Sequence, residues 1–154
     1  AKDAWLINPV QNIAGKLADK ETSPKYYFTD NGILNLFLLD GNTSLLENMV
    51  AVNLLRKYGR NDAVYFYNQS IEVDFYIPDD YTAIQVCYNL DNSDGTFDRE
   101  VKALLKITEV LECKNLLIIT RDTERTVEIN DKTIEVIPVW KWLLMLNHGQ
   151  NDKT

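Results

Sequence analysis

The clearest pattern in the chain is an alternation of apolar and polar residues near its middle. β-Branched and aromatic residues alternate with polar ones on both sides of the turn sequence Pro78-Asp79-Asp80. This pattern predicts an antiparallel hairpin with strands over Ile71 to Ile77 and Thr82 to Asn89. In the second strand, a period of two puts Gln85 and Cys87 on the same face.

The first strand of this hairpin carries two acidic side chains. A period of two predicts that Val73, Phe75 and Ile77 share one face, and that Glu72 and Asp74 lie on the other. A carboxylate on one strand beside a polar pair on the next is typical of a two-metal nuclease hairpin. In this chain the polar pair on the second strand is Gln85 and Cys87, which argues against catalysis.

Capping signals and periodicity predict further elements on both sides of the hairpin. The predicted strands are Trp5 to Val10, Tyr26 to Thr29, Ala63 to Asn68, Asn115 to Thr120, Thr126 to Ile129 and Thr133 to Ile137, and the predicted helices are Asn31 to Leu39, Ser44 to Tyr58, Phe97 to Leu111 and a last one after Pro138. From Ser44 to Thr120 the order is α-β-β-β-α-β. A strand that follows a helix after a meander usually adds in parallel. We therefore expect an α/β fold with a mixed central sheet and helices on both faces.

Composition narrows the classes of function. The chain has 154 residues, which suits one domain with a single sizeable core. Its net charge of -7 and pI near 4.7 disfavour broad nucleic-acid binding, although a local basic groove stays possible. Cys87 and Cys113 have no metal-ligand spacing. The sequence shows neither a signal peptide nor a membrane-spanning run, so we expect a cytoplasmic protein without membrane contact.

Four short motifs, spaced along the chain, resemble one known family. They are Lys25-Tyr26-Tyr27-Phe28-Thr29-Asp30-Asn31-Gly32, Leu46-Glu47-Asn48-Met49-Val50, Glu72-Val73-Asp74-Phe75 and Ile84-Gln85-Val86. Together they are similar to the C-terminal domain of a large bacterial and archaeal family of predicted AAA+ ATPases. That domain is nuclease-like and of unknown function. The element order also resembles the restriction-endonuclease-like PD-(D/E)xK fold.

The resemblance covers roughly Pro24 to Leu144 and implies a domain organisation. Residues 1–24 would be the end of a preceding winged-helix-like segment, residues 25–148 the nuclease-like domain, and residues 149–154 a disordered tail. The chain would then be a piece of a larger protein. ATP would bind in an N-terminal module outside it, because Gly15-Lys16-Leu17 lacks the other residues of a Walker A loop.

The resemblance also implies where an active site would lie. In active members of the nuclease fold, a helix acid and two strand acids bind one or two Mg²⁺, and a lysine two residues beyond the last acid orients the attacking water. The matching positions are Glu47, Asp74, Gln85 and Cys87. Glu47 and Asp74 match the acidic residues of the active members. Gln85 supplies only a neutral oxygen, so Glu47, Asp74 and Gln85 would be a weak metal set, and Cys87 cannot replace the lysine.

Each of these residues also has a structural interpretation. Ser44 and Glu47 have the spacing of a capping box at a helix start. Asp74, in a central strand, needs a partner or a polar cleft. Lys102 and Arg99, on the helix after the hairpin, would reach over the sheet and replace the missing lysine, with Lys102 as the relocated catalytic lysine, or else they are solvated charges on an amphipathic helix.

The expected function is therefore that of a degenerate nuclease scaffold without metal chemistry. Such a domain would recognise a partner protein or regulate the ATPase module of its own protein. The alternative is a Mg²⁺-dependent DNA nuclease in which Lys102 replaces the missing lysine. A third hypothesis is a partner-binding module that docks through an apolar surface around Trp5, Trp140 and Trp142.

Overall fold

The computed structural model describes residues 6–35, 42–90 and 95–149, apart from the side chains of residues 33 and 34. Within these ranges the strands are β1 (Ile7–Asn12), β2 (Lys25–Phe28), β3 (Tyr65–Asn68), β4 (Glu72–Ile77), β5 (Thr82–Val86), β6 (Asn115–Thr120), β7 (Arg125–Ile129) and β8 (Lys132–Pro138). The α-helices are α1 (Ile13–Leu17), α2 (Asn31–Asn35), α3 (Asn42–Tyr58), α4 (Thr96–Ile107) and α5 (Val139–His148), and a 3₁₀ turn covers Pro78–Asp80.

The strands form one mixed sheet in the order β2-β1-β3-β4-β5-β6-β8-β7. The β4–β5 hairpin is antiparallel, as predicted. β6 follows α4 and lies parallel to β5, with Thr82 opposite Asn115 and Val86 opposite Ile119. The predicted order α-β-β-β-α-β and the mixed α/β sheet are therefore confirmed.

Two hydrophobic cores lie on opposite faces of the sheet, and each is covered by helices. On one face, α3 contributes Leu54 and α5 contributes Trp142 to a core that includes Phe75. On the other face, α4 packs through Leu104 and Ile107, both fully buried. Burial of these apolar surfaces is the main stabilising contribution to such a layered fold. Helices on both faces were predicted, and this is also confirmed.

The predicted faces of β4 are wrong at one position. Tyr65 lies opposite Tyr76, whereas Tyr67 lies opposite Val73, so β4 has one residue more than β3 between these pairs. Such a β-bulge shifts the alternation of side chains along the strand. Val73 consequently packs in the same core as Tyr76, while Phe75 packs in the core on the other face.

The N-terminal segment belongs to the same sheet. β1 pairs antiparallel with β2 and parallel with β3, where Gln11 lies opposite Tyr65. Between β1 and β2, where the sequence predicted neither helix nor strand, lies the short helix α1. The side chain of Asn12 caps it by accepting a hydrogen bond from the amide of Ala14 at 3.1 Å. The division of the chain after residue 24 stays a prediction.

Some predictions fall outside the described residues. They concern Trp5, the C-terminal part of the predicted helix up to Leu39, and residues 150–154 of the predicted tail. In the described part of the chain, no helix has the length and apolar character needed to cross a membrane.

Asn48 fixes the position of β2 relative to α3. Its side chain is buried, accepts a hydrogen bond from the amide of Phe28 at 2.7 Å, and donates to the Phe28 carbonyl and to Asn31 at 3.0 and 2.8 Å. These bonds hold the end of β2, three residues after Lys25, beside the first turns of α3.

We expect Asn48→Ala to lower the free energy of unfolding by about 1–2 kcal/mol, since the backbone of Phe28 loses two hydrogen bonds to Asn48 but lies on an edge strand that water can reach. Urea unfolding measures this change. Asn53→Ala is the matched control, because the bond that the Asn53 side chain makes within the described residues goes to the Met49 carbonyl of its own helix. Equal stabilities of the two variants would contradict the role of Asn48.

Candidate functional site

The candidate site lies where β4 and β5 separate. Backbone pairing between the two strands runs from Ile77 opposite Thr82 to Phe75 opposite Ile84 and ends there. The register shift between β3 and β4, with one extra residue of β4 between Val73 and Tyr76, falls at the same place. Such bulges interrupt regular pairing between strands. The separation leaves room between the strands for polar side chains, in the middle of an otherwise apolar sheet.

Two side chains bridge the separating strands. The Gln85 side-chain oxygen accepts a hydrogen bond from the Asp74 amide at 2.9 Å, and its amide nitrogen donates to the Glu72 carbonyl at 3.0 Å. In return, a carboxylate oxygen of Asp74 accepts a hydrogen bond from the Val86 amide at 2.8 Å. The backbone groups that lose their strand partners are satisfied in this way, as buried polar groups must be.

An acidic cluster surrounds the side chain of Lys25 beside this gap. The Lys25 ammonium lies 2.7 Å from a Glu72 carboxylate oxygen, 3.6 Å from one of Glu47 and 3.7 Å from one of Asp74. The hydroxyl of Tyr27, two residues along β2, donates to Glu47 at 2.7 Å. Side chains from β2, α3 and β4 thus meet at one ammonium group, and we call Lys25, Glu47, Glu72 and Asp74 the acid–lysine cluster.

Burial and charge both act on the ionisation of this cluster. Burial, followed by the nearby charge of Glu47, raises the pKa of Asp74 to about 7, although Lys25 and the Val86 amide oppose the rise. Burial lowers the pKa of Lys25, but Glu47, Glu72 and Asp74 together raise it above its usual value. Burial and then Glu47 also raise the pKa of Tyr27, so its hydroxyl stays a donor.

The cluster opens into a cavity of about 580 Å³ that α4 lines from the other side. The carboxylate of Glu100 is buried there and pairs with the guanidinium of Arg99 at 2.8 Å. Lys102 and Lys106 also line the cavity, one turn apart on α4. The cavity therefore has an acidic side, formed by the cluster, and a basic rim on α4.

The structure brings three of the four predicted site residues together. Glu47, Asp74 and Gln85 line the same cavity. Cys87 does not line it; this residue is buried in the core beneath α4, and its thiol donates to the Asn89 carbonyl at 3.0 Å.

The predicted capping box of Ser44 and Glu47 is wrong, because α3 begins at Asn42 and Ser44 lies inside the helix. The Glu47 carboxylate instead accepts a hydrogen bond from Tyr27 and lies 3.6 Å from the Lys25 ammonium. Lys102 is exposed, and among the described residues it forms no ion pair within 4.0 Å. Its proposed catalytic role stays a prediction.

Sequence reasoning missed the roles of Lys25, Glu72 and Glu100. Lys25 and Tyr27 lie two residues apart on one strand and therefore share a face, which was a readable signal. Glu100 lies three and seven residues before the buried Ala103 and Ile107, so it belongs to the buried stripe of α4. Nothing in the sequence indicated that Lys25 and Glu100 lie close to the β4–β5 hairpin.

The donor set does not fit Mg²⁺. Both polar atoms of the Gln85 amide are engaged by the backbone of β4. The carboxylates of Glu47, Glu72 and Asp74 gather around an ammonium group rather than around a common site for a metal ion. Across residues 6–35, 42–90 and 95–149, no group of three or more His, Cys, Asp or Glu side chains is arranged to hold a metal ion.

Comparison with known proteins finds one informative relative. The chain is 32% identical over 151 aligned residues to the uncharacterized protein MJ1544 of the archaeon Methanocaldococcus jannaschii. The alignment covers 92% of this chain and 34% of that protein. No family profile and no solved structure gives a significant match. The chain thus spans about a third of the length of the curated relative that it matches.

Proposed function

We propose that this chain is the nuclease-like C-terminal domain of an AAA+ ATPase and that it acts without metal chemistry. In this proposal it recognises a partner protein or regulates the ATPase module of its own protein. The observation that carries the proposal is the state of Gln85, whose amide is used entirely to bridge β4 and β5. A residue with this structural task does not serve as a metal ligand.

The archaeal relative supports the larger architecture. A protein that extends well beyond this chain has room for the further modules that the resemblance implies. ATP would bind in such a module. The domain described here would contribute recognition or regulation.

The outer face of α5 supports a role in partner recognition. Trp140, Leu144 and Met145 are all more than half exposed, and Trp140 and Leu144, four residues apart, are neighbours on one side of the helix. Clustered exposed apolar side chains are typical of interaction surfaces. Of the two predicted tryptophans that the structure describes, Trp140 belongs to this exposed surface, whereas Trp142 is buried against the core.

A second candidate function is a Mg²⁺-dependent DNA nuclease. One observation favours it: Glu47, Asp74 and a lysine meet at one cavity, as they do in an active site of this kind. The lysine that approaches the acids is Lys25, however, and not Lys102. The two functions predict opposite results in one experiment.

That experiment titrates Mg²⁺ and Mn²⁺ into the chain by calorimetry and incubates it with single-stranded, duplex and branched DNA. We expect no saturable binding at millimolar metal concentrations and no metal-dependent cleavage. A restriction enzyme in the same buffer is the positive control. Cleavage that requires the metal and disappears in Asp74→Ala would overturn the proposed function, and its loss in Lys102→Ala would identify the relocated lysine.

A further inference from the structure

We propose that the Lys25 ammonium is a built-in cation that takes the place of a divalent metal ion between Glu47, Glu72 and Asp74. The inference rests on the proposed function and deepens it, because it names the group that makes the site independent of metal. It also predicts that removing this one ammonium opens a site for divalent cations.

The first argument is geometric. Three carboxylates from α3 and β4 approach one nitrogen atom at 2.7, 3.6 and 3.7 Å. The side chains of Lys25 and Asp74 are largely buried, with 26% and 16% of their surface exposed. Carboxylates brought so close in a partly buried cleft repel one another unless a cation lies among them.

The second argument is the way in which the cation is held. Lys25 is the first residue of β2, and its backbone is fixed opposite Val10 in the sheet. The ammonium also lies 5.3 Å from the ring centre of Phe66. A cation that is part of the chain is present at a high effective concentration, so a dissolved ion must displace it to enter.

The third argument concerns the charges that remain without Lys25. Lys102 and Lys106 line the same cavity from α4, but no ion pair links either of them to an acid of the described chain. Without Lys25, the carboxylates of Glu47, Glu72 and Asp74 would face each other with no cation of the described chain among them. They are now arranged around the ammonium and not around a metal ion, but hard divalent cations favour carboxylate oxygens, and one or two carboxylates with water molecules are enough to bind such an ion weakly.

The test compares Lys25→Met with the parent chain at pH 8. Methionine keeps an apolar, unbranched stem and removes the ammonium group with its charge and hydrogen-bond donors. Binding of Mn²⁺ is followed by the loss of its free electron paramagnetic resonance signal and by calorimetry. We expect one Mn²⁺ per chain, with a dissociation constant on the order of 0.1–1 mM, at least tenfold tighter than any binding to the parent chain.

Three further variants serve as controls. Lys25→Arg keeps the charge, and Lys106→Met removes a charge from the cavity rim; neither should open the site. Lys25→Met combined with Asp74→Asn should lose the gained binding. Equal Mn²⁺ binding by the parent chain and Lys25→Met would overturn the inference, as would a folded Lys25→Met that binds no Mn²⁺.

Folding in the presence of the metal gives a second readout. If Lys25→Met is unfolded alone, we expect Mn²⁺ to restore its circular dichroism spectrum and cooperative melting, because binding to the folded state stabilises it. Failure to fold with or without Mn²⁺ would also overturn the inference. Metal-dependent DNA cleavage by the parent chain would sink the proposed function, whereas the metal binding of Lys25→Met tests the inference.

Discussion

Asp74→Asn is expected to stabilise the chain at pH 8 and to leave its stability nearly unchanged at pH 4. The fold raises the pKa of Asp74 from its usual 3.8 to about 7, chiefly by burial. The folded state therefore binds the proton more tightly than the unfolded state does. Stability from this group is fully present below about pH 4 and is lost as the pH rises towards 7.

Asparagine removes this loss because it carries no charge at any pH. Its side-chain oxygen can still accept the hydrogen bond from the Val86 amide. We expect a gain on the order of 1–3 kcal/mol in the free energy of unfolding at pH 8. Urea unfolding of both proteins at pH 4, 5.5 and 8 measures the difference and its dependence on pH.

Asp79→Asn is the matched control, because Asp79 is an exposed carboxylate in the turn after β4. It should change stability by less than about 0.5 kcal/mol at each pH. If Asp74→Asn instead destabilises the chain at pH 8, attraction to Lys25 outweighs the burial of the carboxylate. Lys25 and Asp74 would then form a stabilising ion pair within the acid–lysine cluster.

A carboxylate that the fold disfavours needs a reason to be there. Natural proteins retain such destabilising groups mainly at functional sites, and perturbed pKa values are concentrated at such sites. A measured gain for Asp74→Asn would therefore mark the cluster as functional or as the remnant of a functional site. The position of Lys25 favours the second interpretation, a remnant, because its ammonium already offsets part of the negative charge of the acids.

Local signals in the sequence were sufficient for much of the fold. The bounds of β6 are those predicted, because its uninterrupted apolar run is typical of a buried strand. The β7–β8 hairpin turns at Asn130 and Asp131, both with positive φ, which Asn and Asp tolerate better than most residues. The parallel addition of β6 followed from the helix that precedes it.

The site could be predicted only in part, since it depends on contacts between distant segments. A β-bulge such as the one at Asp74 is a property of two paired strands, and the alternation within β4 alone does not reveal it. Lys25 reaches Asp74 only because β2 and β4 lie in one sheet and α3 lies beside them. The spacing of Ser44 and Glu47 matched a local capping motif, whereas contacts with β2 decide the role of Glu47.

Gln85→Met is expected to lower the free energy of unfolding by about 2–5 kcal/mol. The side chain of Gln85 is buried, with 3% of the residue exposed, and it satisfies the Asp74 amide and the Glu72 carbonyl. Methionine is similar in size but can satisfy neither group. Each buried polar group left without a partner costs about 1–3 kcal/mol. Urea unfolding at pH 7 measures this loss.

Gln11→Met separates the loss of these bonds from the substitution itself. Gln11 also lies in a strand, but its side chain is exposed, so the same change should alter stability by less than about 0.5 kcal/mol. Gln85→Glu places an acid where the proposed nuclease-like fold would have one in its active members. It keeps the acceptor for the Asp74 amide but loses the donor to the Glu72 carbonyl and adds a charge beside Asp74. We expect it to be destabilised more at pH 8 than at pH 5. If Gln85→Glu and Gln85→Met are both as stable as Gln11→Met, the amide bridge is dispensable, and the reason for excluding Gln85 as a metal ligand disappears.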